Sequence, residues 1–181
     1  MSHEILELLA EKKYSAVKQL IAQMEEADLA KLFEELESEE DTDQFNRLFR
    51  LLPKATAAEV FSYMEPEIQE KIVRALTDTE LQHILDDLFM DDYVDLVEEM
   101  PANVVKRVMQ NSTPENRKLI NQYLKYPEDS AGSLMTNEYV YFRSGFTVAK
   151  AFEIIREHGV DKETIYTCYV TSLRKELLGV V

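Results

Sequence analysis

The sequence predicts a mainly α N-terminal domain, formed by a superhelical stack of short helices, followed by a smaller α+β unit. The first observation is the distribution of glycine, because none occurs up to Ala131 and all 4 lie after it. Few positions then demand a positive φ, which is typical of helices joined by tight, capped connections. The second observation is that β-branched and aromatic runs replace helical periodicity after Tyr126–Pro127. We therefore expect two domains, 1–125 and 126–181.

Nine segments of the first region repeat apolar residues at the i, i+3, i+4 spacing of a helix with one apolar stripe. They are AVKQLIAQM, DLAKLFEEL, FNRLFRLL, AAEVFSYM, IQEKIVRAL, LQHILDDL, YVDLVEEM, NVVKRVMQ and NRKLINQYL. A helix of about three turns cannot bury such a stripe alone and must pack on its neighbours. We infer a right-handed or solenoid-like stack over residues 4–125. Pro66 and Pro114 are expected at first helical positions, where the missing N–H has no intrahelical acceptor.

Two further start signals have the form of capping boxes. They are Thr56-x-x-Glu59 and Thr77-x-x-Glu80. In such a box the threonine side chain and the glutamate side chain each bind the backbone N–H of the other residue. Glu59 therefore has a purely structural interpretation, as the last member of its box.

The second region predicts a β-α-β-β unit. Residues 138–142 and 164–170 are rich in β-branched and aromatic side chains and predict strands, and a third strand opens within 177–181. Thr147 is the expected N-cap of an amphipathic helix that ends at Gly159. The only cysteine, Cys168, falls in the second strand and is expected in the core, so the chain has no disulfide framework.

The composition argues against several classes of partner and activity. With 35 acidic and 20 basic residues the formal net charge is −15, which argues against binding to nucleic acid or to anionic lipid headgroups. No apolar run approaches the roughly 20 residues of a transmembrane helix, and the acidic N-terminus does not resemble a signal peptide. No phosphate-binding loop, zincin or serine-hydrolase motif occurs, so we do not expect an enzyme. These features predict a cytoplasmic, soluble segment.

A base-free acidic window is the strongest candidate for a functional site, because no Lys or Arg lies between Arg74 and Lys106. Its carboxylates are those of Asp78, Glu80, Asp86, Asp87, Asp91, Asp92, Asp95, Glu98 and Glu99. On one helix, Asp91 and Asp95 share a face, with Cβ atoms about 5–6 Å apart. Mg²⁺ takes oxygen ligands and keeps several waters, so one or two carboxylates on each protein face suffice. The alternatives are that Asp91 or Asp92 caps a helix, or that the run is a solvated face.

The second region resembles the start of a CBS domain, through Gly132-Ser-Leu-Met-Thr136, Thr147-Val148 at a helix start, and Leu178-Gly179-Val180-Val181. The junction between the two regions gives a more specific resemblance. The sequence YPEDSAGSLMT, residues 126–136, after a glycine-free helical stack that contains LLPKATAAEV (51–60), resembles the MgtE family of magnesium transporters and channels. In that family a helical N domain precedes paired CBS domains and a membrane pore. The resemblance therefore implies an incomplete α+β CBS-type unit here, with the rest of the pair and the pore following it.

The resemblance also implies a function for the acidic window. In this family the cytosolic part senses Mg²⁺: acidic faces of the N and CBS domains repel one another when Mg²⁺ is scarce, and bound ions close the domains and the pore. The family's N-domain positions match Glu59, Asp91 and Asp95, which are thereby implied as Mg²⁺ ligands. The implied partners are the CBS pair, the transmembrane pore domain and a second copy in a homodimer, on the cytoplasmic side of the cell membrane.

Two other functions stay open. A helical-repeat interaction scaffold would bind a basic protein through the acidic face, be indifferent to Mg²⁺, and carry a CBS unit that responds to adenosine nucleotides. A CBS-regulated enzyme fragment would require a catalytic domain downstream.

Overall fold

Eleven helices and one three-stranded sheet make up the part of the chain that the computed structural model describes, and this confirms the predicted fold class. The described residues are 2–37, 42–127, 130–159 and 162–181. The elements are α1 (Ser2–Ala10), α2 (Tyr14–Ile21), α3 (Glu26–Glu37), α4 (Thr42–Leu51), α5 (Lys54–Ser62), α6 (Pro66–Ala75), α7 (Asp78–Asp87), α8 (Met90–Glu99), α9 (Ala102–Asn111), α10 (Pro114–Tyr123), β1 (Tyr139–Arg143), α11 (Val148–His158), β2 (Thr164–Thr171) and β3 (Leu177–Val180). Among these residues, no helix is both long enough and apolar enough to span a membrane.

The chain divides into two compact units. The first unit comprises Met1–Leu88 and Asp92–Lys125, and the second comprises Phe89–Asp91 and Tyr126–Val181. In the first unit α3 packs on α5, α5 on α7 and α7 on α9, so alternate helices stack in series. Each helix thereby buries an apolar stripe that it could not bury alone. The predicted helical stack is confirmed, and its handedness stays a prediction.

Four of the predicted helix starts are confirmed, and one of them is Thr147, whose hydroxyl accepts a hydrogen bond from the Lys150 N–H at the start of α11. The Thr77 hydroxyl accepts a hydrogen bond from the Glu80 N–H, and the Glu80 carboxylate accepts one from the Thr77 N–H at 2.8 Å. This reciprocal pair completes a capping box at the start of α7. Pro66 and Pro114 are the first residues of α6 and α10. Local signals therefore decide where these short helices begin.

The predicted capping box at Thr56 is wrong. Helix α5 begins at Lys54, two residues earlier, and no side chain caps it. The flanking residue is Pro53, with φ −58° and ψ 144°. Proline fixes φ and is extended here, so the helix begins directly after it, and Thr56 lies inside the first turn. The structural role that the capping box offered for Glu59 is thereby removed.

The second unit places the starts of two parallel strands side by side. Its sheet has the order β1-β2-β3, with β1 parallel to β2 and β2 antiparallel to β3. Cys168 is buried in the small core that also includes residues of β1, as predicted, and α11 packs against it. Tyr139 and Thr164, which open the two parallel strands, are register partners. Glu138 and Glu163, the residues just before them, therefore lie at one edge of the sheet.

Candidate metal centre

The residues predicted as metal ligands lie on two helices. Glu59 is exposed on α5, whereas Asp91 and Asp95 are one turn apart on α8. Of the two aspartates, Asp91 is half-buried and Asp95 is exposed. Because α8 begins at Met90, Asp91 and Asp92 lie inside its first turn, not at the capping position before it. Neither aspartate is the residue before the helix, but both lie where a carboxylate favours the helix dipole, so this part of the structural alternative stays open.

Asp91 meets two carboxylates that the sequence did not point to. One carboxylate oxygen from each of Asp91, Glu138 and Glu163 lies within 4.8 Å of the other two. We call these three residues the acidic triad. All belong to the second unit, which includes Phe89–Asp91. Neither Glu59 nor Asp95 is part of this group, and within the described residues it is the one such set of potential metal ligands.

Local backbone contacts hold the triad together. The Glu163 N–H donates to the Glu138 carbonyl oxygen at 3.1 Å, which extends the pairing of the two parallel strands by one residue. The Met90 N–H donates to Oε2 of Glu138 at 2.9 Å. Because the first N–H groups of a helix have no intrahelical acceptor, this carboxylate satisfies the start of α8. Glu138 is thereby fixed beside Asp91.

Burial makes the triad electrostatically unfavourable without a cation. The Oδ1 atom of Asp91 is buried and accepts no hydrogen bond from the described residues. Burial raises the pKa of Glu138, the hydrogen bond from Met90 opposes this, and the charges of Asp91 and Glu163 raise the pKa further. Lys162 offsets part of this repulsion. The ionised form of Glu138 is therefore disfavoured, and a nearby cation would favour it.

The donor set suits a hard divalent cation. Carboxylate oxygens are the ligands that Mg²⁺ and Ca²⁺ prefer, and Mg²⁺ usually keeps several waters beside one or two carboxylates. The triad offers three such groups in one place. It contains no histidine or cysteine, the ligands that favour zinc or copper.

A second group of acids, which includes Asp95, surrounds Glu99 in the first unit. Burial raises the pKa of Glu99, and the charges of Asp95, Glu65, Glu67 and Glu98 raise it further, in that order. The C-terminal part of α8 and the start of α6 thus contribute negative charge to one neighbourhood. A cation in this neighbourhood would lower the cost of ionising Glu99.

We expect the Glu99→Gln variant to be more stable than the wild type at pH 7, by about 1–2 °C in Tm. The folded-state pKa is raised, so ionised Glu99 costs stability at neutral pH, and this cost disappears as the pH falls and the group is protonated in both states. Thermal unfolding at pH 7 and at about pH 4 would measure the difference. Glu34→Gln, at an exposed position on α3, is the matched control. An equal gain at both pH values would contradict the prediction.

Glu59 also has an acidic neighbour. Burial raises the pKa of Glu59, and Glu26 on α3 adds to this through its charge and through a hydrogen bond between the two side chains. Two carboxyl groups so close favour either a shared proton or a shared cation. The structure thus gives Glu59 a partner that no local sequence pattern indicated.

Glu138 and Glu163 were missed because no motif joins them. They are 25 positions apart, and neither lies in the base-free window. The available signal is that Glu138 opens one predicted strand and Glu163 directly precedes the next, with a helix between the two strands. Such a connection makes the strands parallel, and neighbouring parallel strands begin at the same edge of a sheet.

Comparison with known proteins finds relatives over nearly the whole chain. Residues 24–129 match the family described as the MgtE intracellular N domain. The magnesium transporter MgtE of Thermus thermophilus is 35% identical over 179 residues, covering 97% of this chain and 39% of the relative. The magnesium transporter MgtE of Bacillus subtilis is 25% identical over 177 residues, covering 98% and 38%. The chain thus spans about two fifths of the length of these relatives.

Two solved structures have a similar fold. One is the crystal structure of the cytosolic domain of the Mg²⁺ channel MgtE in complex with ATP, with a TM-score of 0.86 and 33% identity, covering 100% of this chain and 73% of that one. The other is the soluble part of a magnesium transporter, with a TM-score of 0.87 and 21% identity, covering 99% and 70%. The second likeness, at its low identity, shows the fold alone.

Proposed function

Since the chain belongs to the family of the MgtE intracellular N domain, we propose that it is the cytosolic regulatory region of a magnesium transporter. In this role it senses Mg²⁺ on the cytoplasmic side of the membrane and controls a pore that a separate transmembrane domain forms. Its proposed parts are a helical domain, 1–125, and a connector with part of a CBS domain, 126–181. The further proposed partners are a CBS pair and a second copy of the protein. The relatives are named as transporters, which agrees with a role other than catalysis.

The acidic triad is the observation that carries this proposal. A group of carboxylates with a buried oxygen is unfavourable while all are ionised, because burial removes water and the charges repel one another. Bound Mg²⁺ supplies the missing positive charge and gives the buried oxygen of Asp91 a partner. A permanent salt bridge at this place could not report ion concentration, whereas a carboxylate group that binds Mg²⁺ reversibly can.

Glu59 and Asp95 are proposed as Mg²⁺ ligands on the first unit. Glu26 lies beside Glu59, and Asp95 is one of the acids whose charge raises the pKa of Glu99. A cation relieves the repulsion between each of these ligands and its acidic neighbours. We therefore expect Glu59 and Asp95 each to share a Mg²⁺ ion with carboxylates of the CBS pair. These two sites are expected to be weaker than the triad within this chain, because a complete ligand set needs the partner.

A magnesium titration of thermal stability tests the proposal. Binding to the folded state alone adds RT ln(1 + [L]/Kd), about 1.4 kcal/mol at ten times Kd, which is a Tm rise of about 3–6 °C for a chain of this size. MgCl₂ should produce this rise and NaCl of matched ionic strength should not. The triple variant Asp91→Asn/Glu138→Gln/Glu163→Gln should lose it. Amide oxygens keep the side-chain shape and still accept the Met90 hydrogen bond, so the fold is spared.

Two further variants locate the response. Glu157→Gln, at an exposed position on α11, is the matched control and should respond like the wild type. Glu59→Gln/Asp95→Asn should keep most of the response of this chain. Equal Tm shifts with NaCl and MgCl₂ in the wild type would contradict magnesium sensing by this chain. A response that is lost only in the Glu59/Asp95 variant would move the sensor to the first unit.

An adenosine-nucleotide response is the second candidate function. It is favoured by one observation, namely that the similar cytosolic domain was solved in complex with ATP. The same titration with ATP in the absence of Mg²⁺ separates the two functions. A Tm rise with ATP alone, together with indifference to MgCl₂, would favour the nucleotide-responsive scaffold over the magnesium sensor.

A further inference from the structure

The Tyr126 ring lies directly against the backbone of Gly132. A Cβ atom built at Gly132 would come within 2.4 Å of Cδ1, 2.5 Å of Cγ and 2.9 Å of Cε1 of that ring. Separations below about 3 Å are strongly repulsive, so any other residue at position 132 would displace the ring. Glycine is therefore required at position 132 for the close approach of the Tyr126 ring.

Tyr126 and Gly132 belong to the connector, residues 126–136, of which the structure describes 126–127 and 130–136. Backbone hydrogen bonds form a turn at 130–134, since the N–H groups of Ser133 and Leu134 both donate to the Ser130 carbonyl oxygen, at 3.1 and 3.3 Å. The Ser133 hydroxyl donates to the same oxygen at 2.9 Å. Such a compact turn leaves the chain after it few alternative paths.

The constraint continues to the acidic triad. The Glu138 N–H donates to the Thr136 hydroxyl at 3.0 Å, directly after the connector. The Glu138 side chain then accepts the Met90 N–H, as described above. These contacts, joined by the covalent chain from Gly132 to Glu138, connect Tyr126 with the carboxylate that lies beside Asp91.

We propose that the Tyr126 ring seated on Gly132 holds residues 130–136 in one conformation and thereby positions Glu138 for metal binding. The inference deepens the proposed function and rests on it for the role of the metal. Tyr126 is 36% exposed, so its ring buries less apolar surface than a core residue would. We therefore assign its contact with Gly132 to fixing the backbone conformation of the residues that follow. A site whose ligands are already in place binds the ion more tightly. The reason is that the apparent affinity is proportional to the fraction of molecules in which Glu138 is positioned for binding. Tyr126 and Gly132 are positioning residues for the triad.

Hydrogen exchange of the Met90 amide tests the positioning without any metal. This N–H begins α8 and has no intrahelical acceptor, so its protection reports the hydrogen bond to Glu138. We expect Gly132→Ala and Tyr126→Leu to lower its protection factor by about tenfold or more. Tyr126→Phe keeps the ring against Gly132 and should retain more of the protection than Tyr126→Leu. Gly179→Ala is the matched control, since a Cβ there meets nothing within 4 Å.

The magnesium titration, repeated on the same variants, tests the consequence. Gly132→Ala and Tyr126→Leu should weaken the apparent Mg²⁺ affinity where they abolish Met90 protection, because the affinity falls with the fraction of molecules in which Glu138 is in place and not with the protection factor itself. Unchanged Met90 protection in both variants overturns the inference, whatever the ion does, and so does abolished protection with an unchanged Mg²⁺ affinity. A wild type that ignores Mg²⁺ overturns the proposed function alone, because the exchange data then still decide the positioning of Glu138. If Gly132→Ala does not fold, Tyr126→Leu decides, since it removes the ring and adds no atom beside Gly132.

Discussion

Replacement of Tyr93 by alanine is expected to lower the free energy of unfolding by about 3–5 kcal/mol. Tyr93 is 0% exposed on α8, and its hydroxyl hydrogen-bonds to the hydroxyl of Ser112. Ser112 in turn donates to the Val108 carbonyl oxygen at 2.7 Å. The truncation leaves a cavity, and the buried hydroxyl of Ser112 loses its hydrogen bond to Tyr93. Because α8 also carries Asp91 and Asp95, Tyr93 anchors the helix on which the candidate ligands lie.

Urea unfolding measures this loss, and two variants serve as controls. Tyr63→Ala removes a ring that is 62% exposed, and it should change the stability by less than about 0.5 kcal/mol. Tyr93→Phe keeps the packing and loses only the hydroxyl, which should cost about 0.5–1.5 kcal/mol. Similar losses for Tyr63→Ala and Tyr93→Ala would mean that burial of Tyr93 does not anchor α8.

The same residue predicts a loss of stability in alkali. Burial raises the pKa of Tyr93 to about 12, although the hydrogen bond to Ser112 opposes the shift. The phenol ionises near pH 10 when the chain is unfolded. Its contribution is therefore complete below about pH 10 and is lost as the pH rises towards 12, since the unfolded state then binds fewer protons. The slope of stability against pH in this range should be smaller for Tyr93→Phe than for the wild type.

Replacement of Arg107 by alanine is expected to cost about 2–3 kcal/mol. The guanidinium of Arg107, on α9, donates to the carbonyl oxygens of Val73 and Leu76 and to the Asp78 carboxylate at 3.0 Å. The carbonyls of the last turn of α6 have no intrahelical donor, so Arg107 caps that helix across the stack and also favours its dipole. Asp78 is 73% exposed, so the ion pair itself adds little.

Equilibrium unfolding of three variants separates the contribution of the hydrogen bonds to the carbonyls from that of the ion pair with Asp78. Lys106→Ala, at the exposed neighbouring position on α9, should be close to neutral. Asp78→Asn should cost less than about 1 kcal/mol, because only the exposed pair is weakened. Arg107→Lys should recover at most part of the loss, since an ammonium lacks the planar fork that reaches two carbonyls at once. A full recovery by lysine would show that charge, and not the fork of hydrogen bonds, is what the site needs.

Much of the fold could be predicted because the deciding signals are local. The capping box at Thr77 and the prolines at 66 and 114 act within one turn, and each marks a helix start that the structure confirms. The error at Thr56 arose from two local signals in competition. Pro53 fixes an extended residue just before α5, and a helix that begins there already encloses Thr56. A capping pattern therefore has meaning only when no stronger start signal precedes it.

The candidate site was only partly accessible from the sequence. Asp91 could be proposed because its helix and its base-free surroundings are visible in a single stretch. Glu138 and Glu163 could not, because their meeting with Asp91 depends on strand pairing and on the place of Phe89–Asp91 in the second unit. The burial that leaves one Asp91 oxygen unpaired is likewise a property of packing and has no sequence pattern.

The serial packing of alternate helices also has a consequence for the order of folding. Since α3, α5, α7 and α9 each meet a near neighbour along the chain, only short loops must close before native contacts form. Such a stack can nucleate at any adjoining pair and grow from there. During synthesis its early helices can assemble as they leave the ribosome, whereas the pairing of β1 with β2 must wait until residue 171 has emerged.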